Sequence, residues 1–288
     1  MSSVVLLGAG LGARLRPHTD DRPKCVVEVA GEPLAGRLLR QLAERGVTKA
    51  TVVVGHFAER AKALISAYLR SRAARLDLRF VENREYDRSN TMYSLLLAMD
   101  ALADGGFVVE GDIIASEAAV DALTAVATGA RALRSSWAVE AWTAEHSGSR
   151  LTDDGHGRIV QQEIWRAATT GSAAHLWKSA GMLHLSAEGA RALAKELAQG
   201  ASAGQRGLYY DDLIGQMLRR QRDAGRAATD GFDLHTLDLA GAPWMEIDDA
   251  SDLAKARAMF ESPGREVSEY MVLLRSYSRF STKRRSSL

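Results

Sequence analysis

One cysteine in 288 residues, five prolines and a net charge of only +1 set the first limits on this chain. The single thiol, Cys25, rules out a disulfide framework and a cysteine-based metal centre, and fits a reducing compartment. It follows Lys24 and reads as a small buried residue opening a short strand, Cys25-Val-Val-Glu-Val, rather than as a reactive group. Lys and Arg number 37 against 36 Asp and Glu, which removes any general argument for nucleic acid; an anion site has to be local. No apolar run approaches the ~18 residues of a membrane span. The N-terminal segment lacks a basic leader, and its apolar stretch is too short for a signal peptide. A cytoplasmic location without a membrane partner is therefore expected. The seven histidines show no metal-ligand spacing.

What is present is concentrated near the start. An apolar run, Val4 to Leu7, leads into Gly8, Ala9, Gly10 and Gly12, then Arg14, then Pro23-Lys24. A strand ending in alternating glycines leaves backbone N–H groups free and lets a phosphate approach closely. Arg14 and Lys24 add two positive charges, which suits a triphosphate. Gly8, Gly10 and Ala13 also fit the dinucleotide fingerprint, but that turn must open a helix. Pro17 and Pro23 prevent a regular helix here, so the glycines begin a long phosphate-wrapping loop. A P-loop is excluded because no Gly-Lys-Ser/Thr follows.

Strand and helix patterns alternate through the first half. Val4–Leu7, Thr51–Val54, Leu78–Val81 and Phe107–Val109 read as strands. Leu34, Leu38, Leu39 and Leu42 form a helical stripe closed by Gly46; Phe57 to Tyr68 and Met92 to Leu102 form two more. The second half reads as a strand within 132–141, a hairpin over 150–162, a strand over 178–185, helices over 187–199 and 209–221, strands over 232–239 and 244–247, and a last helix over 249–260. The alternation implies an α/β fold: a mostly parallel sheet covered on both faces, with the ligand at the carboxyl ends of strands.

Two acidic positions follow strands directly, Asp112 after Phe107–Val109 and Asp248 after Trp244–Ile247. Held at one sheet edge, they could grip a divalent cation between two phosphates. Glu110 and Asp249 are neighbours suited to orient a ligand, although Asp249 equally fits a helix cap. No nucleophile–His–acid arrangement is visible.

Together these segments resemble the nucleotidyltransferases that activate sugar phosphates, small alcohol phosphates or phosphonates with a nucleoside triphosphate. Gly-x-Gly-x-Arg with Pro-Lys matches their signature loop. Glu110-Gly-Asp112 and Trp244-Met-Glu-Ile-Asp-Asp-Ala-Ser-Asp-Leu253 match their two acidic segments. Val81-Glu-Asn-Arg-Glu-Tyr-Asp-Arg-Ser-Asn-Thr-Met-Tyr-Ser-Leu95 is similar to the branch making CDP-linked choline or aminoalkylphosphonate products, and Val54-Gly55-His56 replaces a Val-Gly-Tyr of that branch. The resemblance covers about residues 3–260.

It implies a three-layer α/β/α Rossmann-like fold over 1–262, with a small acceptor-side subdomain. The activity implied is Mg²⁺-dependent transfer from CTP to a small phosphate or phosphonate, with pyrophosphate released. Arg14 would contact the β- and γ-phosphates, and Lys24 the α-phosphate or the incoming anion. Leu7, Gly8, Ala9, Gly10, Gly12, Arg14, Asn90 and Glu110 would bind the nucleotide. Ser89, Asn90, Ser179, Gly181, Tyr210, Asp211 and Asp212 would bind the acceptor, and Asp112 and Asp248 the metal. Asn90 also suits a helix N-cap.

Trp137, Trp142, Trp165 and Trp177 offer either core packing or walls for a quaternary ammonium, whereas Arg134, Arg150, Arg158 and Arg166 suit an anionic acceptor. The acceptor therefore stays open at this point. Residues 263–288 form a basic tail, either partly disordered or oligomer-forming, so a homodimer is also open. Rival readings are a sugar- or cyclitol-phosphate enzyme of the same mechanism, a non-catalytic nucleotide-binding regulator of the same fold, and a dinucleotide-dependent oxidoreductase. Two metal carboxylates argue against the regulator, and the prolines against the oxidoreductase.

Overall fold

Strand β1 (Ser2–Leu7) alternates its side chains between two cores: Val4 and Leu6 face one, Val5 and Leu7 the other. The same period of two recurs where Val52 and Val54 oppose Val53, and where Phe107 and Val109 oppose Val108. Strands buried on both faces need helices on both sides, and the chain supplies them. The computed structural model describes residues 2–165, 175–224 and 232–260.

After β1 come a two-residue pair, β2 (Glu28–Val29) and β3 (Glu32–Pro33), then α1 (Leu34–Glu44), β4 (Val47–Val54), α2 (Ala58–Ser71) and β5 (Asp77–Glu82). Next follow α3 (Thr91–Leu96), β6 (Gly106–Glu110), β7 (Ile113–Ala115) and α4 (Glu117–Ala125). The second half holds β8 (Ser135–Ala141), β9 (Gly148–Asp153), β10 (Ile159–Trp165), β11 (Leu176–Leu185), α5 (Ala187–Ser202) and α6 (Tyr210–Asp223). It closes with β12 (Leu234–Asp238), β13 (Trp244–Glu246) and α7 (Ala250–Phe260).

The central sheet runs β10-β9-β11-β6-β1-β4-β5, with β8 beside β11 and β12 beside β8. Strands β6, β1, β4 and β5 are parallel; β11 is antiparallel to β6 and joins this half to the β8, β9 and β10 strands. Helices α1, α2 and α4 pack on one face, and α3, α5 and α6 on the other. This is the expected three-layer α/β/α arrangement around a mixed sheet. A third, smaller core under α7 joins Leu15, Val29, Ile114, Ile247 and Leu253.

Two local expectations change. Lys24–Val26 is a 3-10 turn rather than the start of a strand, because Val26 and Val27 N–H bond back to Pro23 and Lys24 carbonyls. Sheet pairing begins only at Glu28. The helix expected over Met92–Leu102 breaks after Leu96 and resumes as a 3-10 segment, Met99–Leu102, since Ala98 leaves the helical region at φ −120°. Both halves still bury the same face, with Met92, Leu95, Met99 and Leu102 in one core. Arg166 and the tail 263–288 lie outside the described residues. No described helix is long and apolar enough to cross a membrane.

Candidate active site

The carboxyl ends of the parallel strands carry the chemistry. After β1 the chain turns through Gly8–Gly12, and among the described residues nothing accepts a hydrogen bond from the amides of Gly10 and Leu11. Gly12 takes a left-handed conformation, φ 61°, where a Cβ would stand 3.0 Å from Lys24 Cβ; only glycine fits that turn without strain. The loop, Asn90 and Glu110 line one cleft of about 350 Å³.

Lys24 points inward from its 3-10 turn. Its Nζ donates to Asp112 Oδ2 and to Asp248 Oδ1, each at 2.7 Å. Arg14 Nη2 reaches the same Asp248 oxygen at 2.7 Å from a largely exposed position. Burial opposes the charge on Lys24, but the two carboxylates outweigh it and raise its pKa. For Asp248 burial is likewise outweighed by Lys24 and Arg14, and its pKa is lowered. The two aspartates meet although 136 positions separate them in sequence, because β13 pairs antiparallel with β7 and Ile247 N–H donates to the Asp112 carbonyl at 3.0 Å.

Glu246 is an addition that sequence reading missed, although it lies inside the matched acidic segment. It sits opposite Ile113 in the β13–β7 register, and its carboxylate joins those of Asp112 and Asp248, with ligand oxygens within 4.8 Å of one another. Asp112 Oδ1 is buried and without a hydrogen-bond partner. An orphaned carboxylate oxygen among three hard oxygen donors fits a small divalent cation.

On the side expected to hold nucleotide, Asn90 Oδ1 accepts from Thr91 N–H at 2.9 Å and caps α3, and Ser89 Oγ donates to the Glu85 carbonyl at 2.6 Å. Asn83, also missed, is buried and organises this loop. Its Nδ2 donates to Ser89 Oγ and Ser94 Oγ, and its Oδ1 accepts from Glu85 N–H. An asparagine with both amide ends engaged was visible in the motif only as a match, not as a hub.

On the side expected to hold the acceptor, Tyr210 Oη donates to Glu110 Oε1 at 2.9 Å. Burial, with Asp112, Glu246 and Asp211 nearby, pushes the Glu110 pKa well up. Asp211 is buried with Oδ1 unpartnered, and burial raises its pKa to about 6. Lys178 on β11, unremarked in the sequence, reaches Glu246 Oε2 at 3.3 Å. Three expected acceptor residues are otherwise engaged. Ser179 Oγ accepts from Trp137 Nε1 and Gly181 N–H, Gly181 forms a backbone kink at φ 65°, and Asp212 Oδ2 accepts from Tyr209 N–H as a helix cap. Asp249 likewise caps α7 through Ser251 and Asp252 N–H. Cys25 is buried with its thiol pushed up to about 12 by desolvation, an unreactive state.

The tryptophans have little face to spare. Trp137 stacks on Tyr210, Arg150 lies 3.7 Å from the Trp165 ring centre, and Lys178 lies 6.0 Å from that of Trp244. Trp142 is fully buried, and Trp177 Nε1 donates to Asp153.

Residues 4–221 match the MobA-like NTP transferase domain family. A 2-aminoethylphosphonate cytidylyltransferase of Lancefieldella rimae is 29% identical over 216 residues, 74% of this chain and 79% of that protein. A CMP-5'-(3-aminopropyl)phosphonate synthase of Streptomyces rubellomurinus is 29% identical over 264 residues, 90% of this chain but 39% of that longer protein. The CTP:phosphocholine cytidylyltransferase of Streptococcus pneumoniae shares the fold, with a TM-score of 0.70 at 22% identity over 90% of this chain and 99% of that one. A glycine loop flanked by Arg14 and Lys24, facing a three-carboxylate cluster at the sheet edge, is what phosphoryl-group chemistry needs; with the match over 4–221, the chain belongs to the MobA-like NTP transferase family and is a nucleotidyltransferase.

Proposed function

We propose that this protein is a Mg²⁺-dependent cytidylyltransferase joining CTP to a small phosphonate or phosphate that carries a primary amine. The observation carrying this reading is the charge pattern of the acceptor side. Lys178 stands beside Glu246, and Asp211 is buried nearby with its Oδ1 unpartnered. An acceptor with an anionic head and a cationic tail complements that pair, Lys178 taking the phosphonate and Asp211 the ammonium. A quaternary ammonium would call for uncovered aromatic faces. Trp137, Trp142, Trp165 and Trp244 are stacked, buried or faced by Arg150 and Lys178. The two aminoalkylphosphonate relatives support the same acceptor class, and cytidine as the base rests on them.

The acceptor oxygen attacks the α-phosphorus while the bond from that phosphorus to the pyrophosphate oxygen breaks, so no covalent enzyme intermediate is needed. Lys24 leaves its carboxylate partners to neutralise the anions as they meet, and Arg14 holds the departing pyrophosphate. Asp112, Asp248 and Glu246 would hold the divalent ion, which supplies further charge neutralisation at the α-phosphate when bound. Gly10 and Leu11 N–H would receive phosphate oxygens, and Asn90 would contact the nucleoside.

Pyrophosphate release measured over four nucleoside triphosphates, against aminoalkylphosphonates, phosphocholine, inositol phosphate and hexose phosphates, tests this. CTP with an aminoalkylphosphonate should give the highest kcat/KM. A preference for phosphocholine would overturn the acceptor reading, and a preference for another base the cytidine reading. Asp112→Asn and Asp248→Asn should each lower turnover by at least ~10³-fold with an unchanged circular-dichroism spectrum.

A further inference from the structure

Helix α6 brings the acceptor-side residues Tyr210 and Asp211, whereas the loop 83–91 lines the nucleotide cleft. The two are stitched along one seam. Asn90 N–H donates to the Arg206 carbonyl at 2.8 Å and Met92 N–H to that of Leu208 at 3.3 Å. Tyr210 N–H returns a bond to Thr91 Oγ1 at 3.2 Å. Over this seam lies Arg206, whose Nη1 spans both Glu85 carboxylate oxygens at 2.9 and 3.1 Å, and whose guanidinium sits 4.7 Å from the Tyr93 ring centre.

We infer that Arg206 is a positioning residue that couples the two substrate sites, holding the start of α6 in its acceptor-binding place when nucleotide orders the loop 83–91. This rests on the assignment of the cleft to nucleotide and of the α6 start to acceptor. Three features carry it. Arg206 belongs to the turn before α6, yet its side chain reaches the Glu85 carboxylate and the Tyr93 ring, both on the nucleotide side. The seam bonds run in both directions, so neither segment shifts without breaking bonds to the other. Finally, the Arg206 side chain is 44% exposed and that of Glu85 24%, so the pair adds little to global stability and its effect falls on the relative placement of the two segments.

At its first residue the same helix reaches the carboxylate cluster, since Tyr210 Oη donates to Glu110, two residues before Asp112. A displaced α6 start would therefore move Asp211 and loosen the Tyr210–Glu110 bond together. Occupancy of one site thus favours the arrangement the other needs, which is a coupling free energy between sites.

Amide hydrogen exchange tests this on the full chain, with Mg²⁺ and whichever of the four nucleoside triphosphates binds tightest, without any acceptor. Nucleotide should slow exchange in residues 83–92 and, across the seam, in 208–214. In Arg206→Ala and Glu85→Gln the slowing in 83–92 should persist, while that in 208–214 falls about fivefold or more. Arg206→Lys, which can keep a cation between Glu85 and Tyr93, should retain most of it. A purely structural role would speed exchange equally with and without nucleotide and leave the nucleotide-dependent difference unchanged; that result overturns the inference. Slowing confined to 83–92 in the wild type also overturns it, while leaving the site assignment standing. No slowing in either segment would remove the cleft as the nucleotide site, and the inference with it.

Discussion

Asp211 shows how a single side chain is held at a cost. It is buried, its Oδ1 lacks a partner, and desolvation raises its pKa to about 6 from the ordinary 3.8. The folded state therefore binds this proton more tightly than the unfolded chain, and stability falls as pH rises from about 4 through about 6. Asp211→Asn should raise unfolding free energy by about 1–3 kcal/mol at pH 8, with the two proteins converging near pH 4. The same substitution should raise the acceptor KM at pH 8. Wild-type acceptor KM should climb below about pH 6, as the carboxylate is protonated, and the variant should lack that limb. Denaturant titrations at both pH values and a KM profile check the pair; an unfolding free energy lower in the variant at pH 8 would mean that the carboxylate is satisfied and not awaiting a ligand.

At the scale of elements, the kink in β11 matters most. The β11–β8 register is interrupted between Ser179 and Leu183, and Gly181 sits there at φ 65°. A Cβ at this position would lie 2.9 Å from Ile113 Cδ1 and 3.2 Å from Glu110 Oε2. Ile113 follows Asp112 directly, so the kink lets β11 pass close to the turn that carries Asp112. Gly181→Ala should cost roughly 1–3 kcal/mol from backbone strain and crowding. It should also lower kcat by more than tenfold at temperatures where the variant stays folded. Turnover equal to wild type in a folded variant would show that β11 can move without disturbing Asp112. Periodicity located β11 within two residues, but no sequence pattern marked the kink, because a glycine in a strand is equally compatible with regular pleating. The α3 break at Ala98 escaped for a similar reason: the apolar spacing of Met92 to Leu102 continues across it, since both halves bury the same face.

For the whole molecule, the site is a meeting of remote segments: the loop after β1, the segment before α3, the β6–β7 turn, β11, the start of α6 and the end of β13. A ligand touching several of them binds only the folded chain. Nucleoside triphosphate with Mg²⁺ at a hundredfold excess over Kd should stabilise by about 2.7 kcal/mol, a Tm rise of about 5–10 °C. Chelation of the divalent ion should remove most of that shift, and a shift indifferent to chelator would contradict the three-carboxylate metal site. The amino-acid sequence by itself determined the α/β alternation, the glycine loop with Arg14 and Lys24, and Asp112 and Asp248 as strand-end acids. Each is a local property: hydrophobic period, glycine and proline placement, or charge directly after an apolar run. Only the tertiary structure decided that Lys24 bridges the two aspartates, that Glu246 and Lys178 join them, and that Ser179 and Asp212 are engaged as packing and capping groups. Those outcomes depend on strand register and on which face each side chain takes, and both are set by pairing between segments far apart in the chain.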